Sequence, residues 1–442
     1  MKFFSLILTF IALLSTFTTS SRAIEIQKVT SDSGVTAWLV EDHSIPLVAM
    51  NFSFNGGAAS DPSDKTGLSQ FLSGMLDEGA GDLTSAQFQA AINDNSIKMS
   101  FAASQHRFDG SLQTLSVNQD IAVSLLRKAL ISPRFDAAPL ERVRRQLLVG
   151  LENERENPRV ISSRAWIKTM VGKDHPYARS KSGTMAGLKA ITGQDLHARA
   201  KKLLTRQGLL VAVTGDIDAK NLKKVLDQVF GDLPEKSDIK PVAEAAVLDK
   251  AKIQIVDRDI PQSIIQFGLK GIKRKDKDFV TAYVLFNIFG SGQFGSRLME
   301  EVREKRGLSY SAYATLYPLR RAGLILGSAA TVNARVGETI KVIRDEFKKM
   351  ADEGPTQAEL DNAKAYLTGA YALRFDSNSK ITSQLLAIRK AELGIDYIKN
   401  RNELIRAVTL KEIKNVAKRL LHSDQLVFTI VGKPANVTAT LN

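Results

Sequence analysis

The chain contains one unit twice, and this duplication limits its architecture more than any other feature of the sequence. Residues 42–56 read DHSIPLVAMNFSFNG, and residues 257–271 read DRDIPQSIIQFGLKG. At an offset of 215 they share Asp42/Asp257, Ile45/Ile260, Pro46/Pro261, Phe52/Phe267 and Gly56/Gly271. A second block, TGQDLHARAKKLLTRQGLLVAVTGDI at 192–217, returns as TLKEIKNVAKRLLHSDQLVFTIVGKP at 409–434, an offset of 217. Two blocks in one order at nearly one offset imply a tandem repeat. The expected units are residues 24–233 and 251–442, joined by a linker at 234–250 that shows no periodicity.

Each unit reads as α+β, a mixed sheet with packed helices. Val48, Met50, Phe52 and Phe54 alternate with Ala49, Asn51 and Ser53, the pattern of a half-buried strand that ends at Gly56-Gly57. Ile265, Phe267 and Leu269 repeat it. Leu68, Phe71, Leu72, Met75 and Leu76 trace an apolar helical stripe. Thr356-x-x-Glu359 and Thr409-x-x-Glu412 are capping boxes that open later helices. An apolar strand closes each unit, at Leu209–Val213 and Leu426–Val431.

The first 23 residues stand outside this pattern. Lys2, the apolar run Phe3 to Leu14, and small residues flanking Arg22 at Ser21 and Ala23 read as a secretory signal peptide. The rival, an uncleaved anchor, has an apolar run short of the ~20 residues that span a bilayer. With no Cys in the chain, the expectation is a bacterial periplasmic protein; Asn51-Phe-Ser and Asn436-Val-Thr would be glycosylation sequons in a eukaryote.

Composition removes several chemistries. Zero Cys excludes disulfides, thiolate zinc sites, iron–sulfur clusters and a Cys nucleophile. The five His, at 43, 106, 175, 197 and 422, form no pair at i+3 or i+4. Net charge is +14, about +12 once Lys2 and Arg22 are set aside. The cations are dispersed, and the densest run, from Lys270 to Lys277, is diluted by Asp276 and reads as a solvated loop. No nucleic-acid partner is expected, and anionic surfaces or acidic partners remain the weaker reading of the charge.

The run Gly67-Leu-Ser-Gln-Phe-Leu-Ser-Gly-Met-Leu-Asp-Glu-Gly79, following the strand to Gly57, resembles the motif helix of the pitrilysin/insulinase-type peptidases. That resemblance implies a duplicated α/β-roll. In active members the helix carries H-x-x-E-H, two zinc ligands and a general base. The corresponding positions here are Gln70, Ser73 and Gly74. Gln is a poor zinc ligand, Ser has no usable basicity, and Gly has no side chain. At the family's spacing for a third ligand stands Leu151, with Glu152 one residue on. No zinc or other cofactor is therefore expected on this chain.

The resemblance covers nearly the whole mature chain. His175-Pro-Tyr177 matches a family motif that reads as structural. The segment Gly290-Ser-Gly-Gln-Phe-Gly295 through Arg303 to Tyr310 resembles the family's glycine-rich turn, helix and R-x6-Y element. The resemblance implies that Arg303 and Tyr310 reach a substrate carbonyl near the zinc of the other half or chain. A guanidinium and a phenol suit a developing oxyanion. Lys98–Gln105 occupies the place of the edge strand with which relatives pair substrate; an internal strand is an equal reading. The expected function is a non-catalytic subunit that pairs with a zinc-bearing homologue and binds unfolded peptides. A non-proteolytic peptide-binding or assembly protein, and an active metallopeptidase with displaced ligands, are the alternatives.

Overall fold

A computed structural model describes residues 24–291 and 295–440. The signal-peptide reading and Gly292-Gln-Phe294 of the glycine-rich turn lie outside these residues. The first sheet contains β1 (Gln27–Thr30), β2 (Thr36–Glu41), β3 (Leu47–Asn55), β4 (Lys98–Ala103), β5 (Arg107–Leu115) and β6 (Leu210–Gly215), in the order β1-β2-β6-β3-β5-β4. The second contains β7 (Lys252–Asp257), β8 (Gln262–Lys270), β9 (Ala312–Leu319), β10 (Ala322–Val332) and β11 (Val427–Gly432), in the order β7-β11-β8-β10-β9. In each, a single parallel pair (β2/β6, β7/β11) accompanies antiparallel neighbours. Strand β8 lies 215 residues beyond β3 and β11 lies 217 beyond β6, the two offsets of the repeat.

Helices obey the same duplication. Gly193–Leu203 and Leu410–Leu420 both open on a Thr cap, Thr192 and Thr409, whose partners Asp195 and Glu412 return the bond. The Thr356/Glu359 box forms as well. These helices pack one face of their own sheet into two large cores, one per unit.

The other face of each sheet is covered by a helix from the opposite unit. Helix Asn378–Lys390 lies across β3 and β6, and helix Pro158–Val171 lies across β8 and β11. Ile381, Leu385 and Leu386 pack with Trp38, Val40 and Ala212, whereas Trp166 and Met170 pack with Leu324 and Val427. Trp166 Nε1 donates to Val427 O at 3.1 Å. Gly268 makes room for it: a Cβ there would stand 2.7 Å from the indole and 2.0 Å from Ile325 O.

This exchange changes the expected burial. Strand β3 is not half-buried: Ala49 and Ser53 are buried along with Val48, Met50, Phe52 and Phe54, because the crossing helix seals the second face. The motif helix is also shorter than its stripe. It spans Leu68–Ser73, and buried Met75 and Leu76 follow in turns beyond Gly74. Among the described strands β4 is an edge, paired with β5. The Lys270–Lys277 loop is solvated and laced by ion pairs, Lys273–Glu244 at 2.8 Å and Asp276–Arg419 at 2.6 Å. No helix among the described residues is long and apolar enough to cross a membrane.

Candidate functional site

The motif helix is held by a buried charge pair that sequence reading missed. Asp61 sits at its N-terminus and accepts from Ser69 N at 3.1 Å and Ser69 Oγ at 2.6 Å. Arg199, from helix Gly193–Leu203, lies 3.2 Å from that carboxylate and donates to Gly57 O and to the Ser60 and Ser69 hydroxyls. Burial pushes the Asp61 carboxyl up even against Arg199 and the Ser69 bonds. A signal existed: Arg199 falls on the apolar stripe of Leu196, Ala200 and Leu203, where a charge needs a buried partner.

What this scaffold presents does not fit zinc. Ser73 Oγ donates to Gln70 O at 2.7 Å, closing the helix on itself. A Cβ at Gly74 would lie 3.2 Å from Val143 Cγ1, so the neighbouring helix Ala137–Glu156 fills the space of a side chain. On that helix Leu151 is buried in the core, and Glu152 faces solvent in an ion pair with Arg155 at 3.1 Å. The donor set is one amide and one hydroxyl where two imidazoles and a carboxylate would be needed. No cluster of three His, Asp or Glu among the described residues could hold a metal.

Arg303 and Tyr310 are brought together. Arg303 lies in a π-type turn, Glu300–Glu304, where Lys305 N bonds Glu300 O. Such turns widen a helix locally and recur at functional sites. Gly307 at φ +56° then reverses the chain toward β9. The Arg303 guanidinium stands 4.8 Å from the centre of the Tyr310 ring, a cation–π contact, with Glu304 3.3 Å from its Nε. Tyr310 is 84% exposed. The cavity it lines takes Arg159 from the first unit, and none of Gln70, Ser73 or Gly74 is among its lining residues.

His175-Pro-Tyr177 is a structural joint. His175 Nδ1 caps a short turn at 3.2 Å, and buried Tyr177 reaches between the units. Its Oη accepts from Arg321 N, in the β9–β10 hairpin, at 2.9 Å, and bonds His106 Nε2 in the β4–β5 hairpin. Burial lifts the Tyr177 phenol to about 12. Burial and the nearby Arg320 and Arg321 cations hold His106 at about 4.

Residues 190–367 match the family model described as Peptidase M16 inactive domain. A Helicobacter pylori protein named Non-peptidase homolog YmxG is 28% identical over 397 residues, covering 89% of this chain and 90% of its own. An uncharacterized zinc protease of Mycobacterium bovis is 27% identical over 310 residues, 68% of this chain and 69% of its own. Among solved structures, a peptidase M16 inactive domain from Pseudomonas fluorescens superposes with a TM-score of 0.87 at 26% identity, over 95% of this chain and all of that one. A protease from Helicobacter pylori shares the fold at TM-score 0.83 and 16% identity, over 92% of this chain and all of its own. The chain is thus similar, along most of its length, to inactive-type proteins of the M16 peptidase family, and it carries Gln70, Ser73 and Gly74 where its resemblance to the motif helix would place H-x-x-E-H.

Proposed function

We propose that this chain is the non-catalytic subunit of a periplasmic zinc peptidase of the processing-peptidase type. It is exported by its first 23 residues, built as units 24–233 and 251–442, and paired with a zinc-bearing homologue. Zinc, held by that partner, supplies the Lewis acid. This chain helps enclose unfolded peptide and presents Arg303 and Tyr310 to the substrate carbonyl. The observation that carries the reading is the stacked, exposed Arg303/Tyr310 pair in a chain whose own ligand positions are lost. Both side chains are donors, and a donor aimed at a developing oxyanion is worth roughly 100- to 1,000-fold in rate.

The test is peptide hydrolysis by the chain, by a zinc-bearing homologue from the same organism, and by both together. Activity is expected only from the pair, and Arg303→Ala should lower kcat by about 100-fold without dissociating it. Chelator-sensitive activity from this chain alone, or a pair indifferent to both Arg303→Ala and Tyr310→Phe, overturns the reading. A non-proteolytic peptide-binding or assembly role is the second reading, favoured by the name of the Helicobacter pylori relative. It expects no change in any hydrolysis on adding this chain.

A further inference from the structure

Strand β10 outruns its neighbour. Its pairing with β9 stops at Ala329↔Ala312, while its pairing with β8 continues to Val332↔Gln262. The chain from Gly307 to Ser311 passes this open end, and Ser309 Oγ accepts the N–H of Ala330 at 3.2 Å. The space left is a cavity of about 300 Å³, at the small end of the range for ligand pockets.

Its walls carry unused polar groups. Thr331, 2% exposed, borders the cavity with its backbone, while its side chain follows Ile325 and Ala329 onto the core face of β10. Ser328, 6% exposed, lines the same space, and its hydroxyl bonds no described residue. A hydroxyl left unpaired at a cavity wall can donate to an incoming acceptor. Two arginines line the cavity. Arg335 is tied to Glu338 at 3.1 Å. Arg159 arrives from the first unit on the crossing helix, and its guanidinium makes no ion pair or hydrogen bond with a described residue. No Asp or Glu is among the described lining residues. Tyr310 forms part of the wall, with Arg303 stacked on its ring.

We propose that this cavity is a carboxylate subsite, which receives an acidic side chain of an extended peptide between Arg159 and Arg335, with the Ser328 hydroxyl as a further donor. A carboxylate offers two acceptor oxygens to the planar guanidinium fork and to hydroxyls at once. The cavity suits one side chain and its flanking backbone. Its position beside Tyr310 puts the acid close to the carbonyl that Arg303 and Tyr310 would hold. The inference deepens the proposed peptide-binding role and rests on that reading. Arg159 can serve the second unit only because the crossing helix carries it there.

The experiment measures binding to the full chain alone, by fluorescence anisotropy, of two labelled extended peptides identical except for a central Glu or Gln. The Glu peptide should bind roughly tenfold to a hundredfold more tightly, the worth of a charge-assisted bond. Arg159→Gln should reduce that ratio to about one, and Ser328→Ala should lower it several-fold. Arg303→Ala should weaken both peptides alike and leave the ratio intact. Equal binding of the two peptides by the native chain overturns the subsite, as does a ratio that survives both Arg159→Gln and Ser328→Ala. Failure of the peptidase-subunit reading is seen separately, as hydrolysis by the pair that ignores Arg303→Ala while the ratio stands.

Discussion

At the scale of single residues, the motif helix keeps its support and lacks its ligands. Asp61 and Arg199 are both buried, so their attraction is offset by desolvation, and their value lies in not being separated. Arg199→Ala would strand a buried carboxylate and should cost about 3–5 kcal/mol in chemical unfolding. Exchanging both for apolar residues of similar volume should cost much less. Reinstating the ligands should not reinstate the metal. In Gln70→His/Ser73→Glu/Gly74→His the new side chain at 74 meets Val143, and the third donor position remains Leu151. Elemental analysis should find that variant substoichiometric in zinc; a full equivalent would show that the helix alone governs the site. The absence of H-x-x-E-H was legible in the sequence because it is a local pattern. The Asp61–Arg199 support was not, since its members are joined only by folding.

At the scale of elements, the exchanged helices couple the two units. Helix Asn378–Lys390 makes the outer layer of the first sheet, with Thr382 Oγ1 near Ala49 O and Asn51 Nδ2 donating to Ser383 Oγ at 3.1 Å. Leu385 is fully buried there, against strands of the other unit. Leu385→Ala should cost about 2–5 kcal/mol. Hydrogen exchange should show the loss in β3 and β6, about 170 residues or more away in sequence. Faster exchange confined to the second unit would contradict the exchange of layers. Strand positions, capping boxes and the repeat offsets were readable from local periodicity. Two-sided burial of β3 and β8 was not, because alternation reports one face and the helix that covers the other comes from the opposite unit.

At the scale of the whole molecule, Tyr177 joins hairpins of both units. Tyr177→Phe leaves the Arg321 N–H and the His106 ring without their shared oxygen and should cost about 1–3 kcal/mol. His106 makes the joint sensitive to acid. Its ordinary value is 6.5 and its folded value about 4, so the unfolded chain binds the extra proton between them. The contribution is complete above pH 6.5 and is lost as pH falls toward 4. The thermal midpoint should therefore drop across that window, and His106→Gln should flatten the drop; an unchanged profile would remove His106 from the joint. By itself the sequence determined the duplication, the α+β class and the absence of an H-x-x-E-H motif, because each is written in periodicity, offset or residue identity over short spans. Only the tertiary structure decided that the units exchange helices, that Arg303 stacks on Tyr310, and that Arg159 reaches a cavity of the other unit. Those facts depend on close approach between residues far apart in the chain, which the packing of two sheets against shared helices settles and no local pattern records.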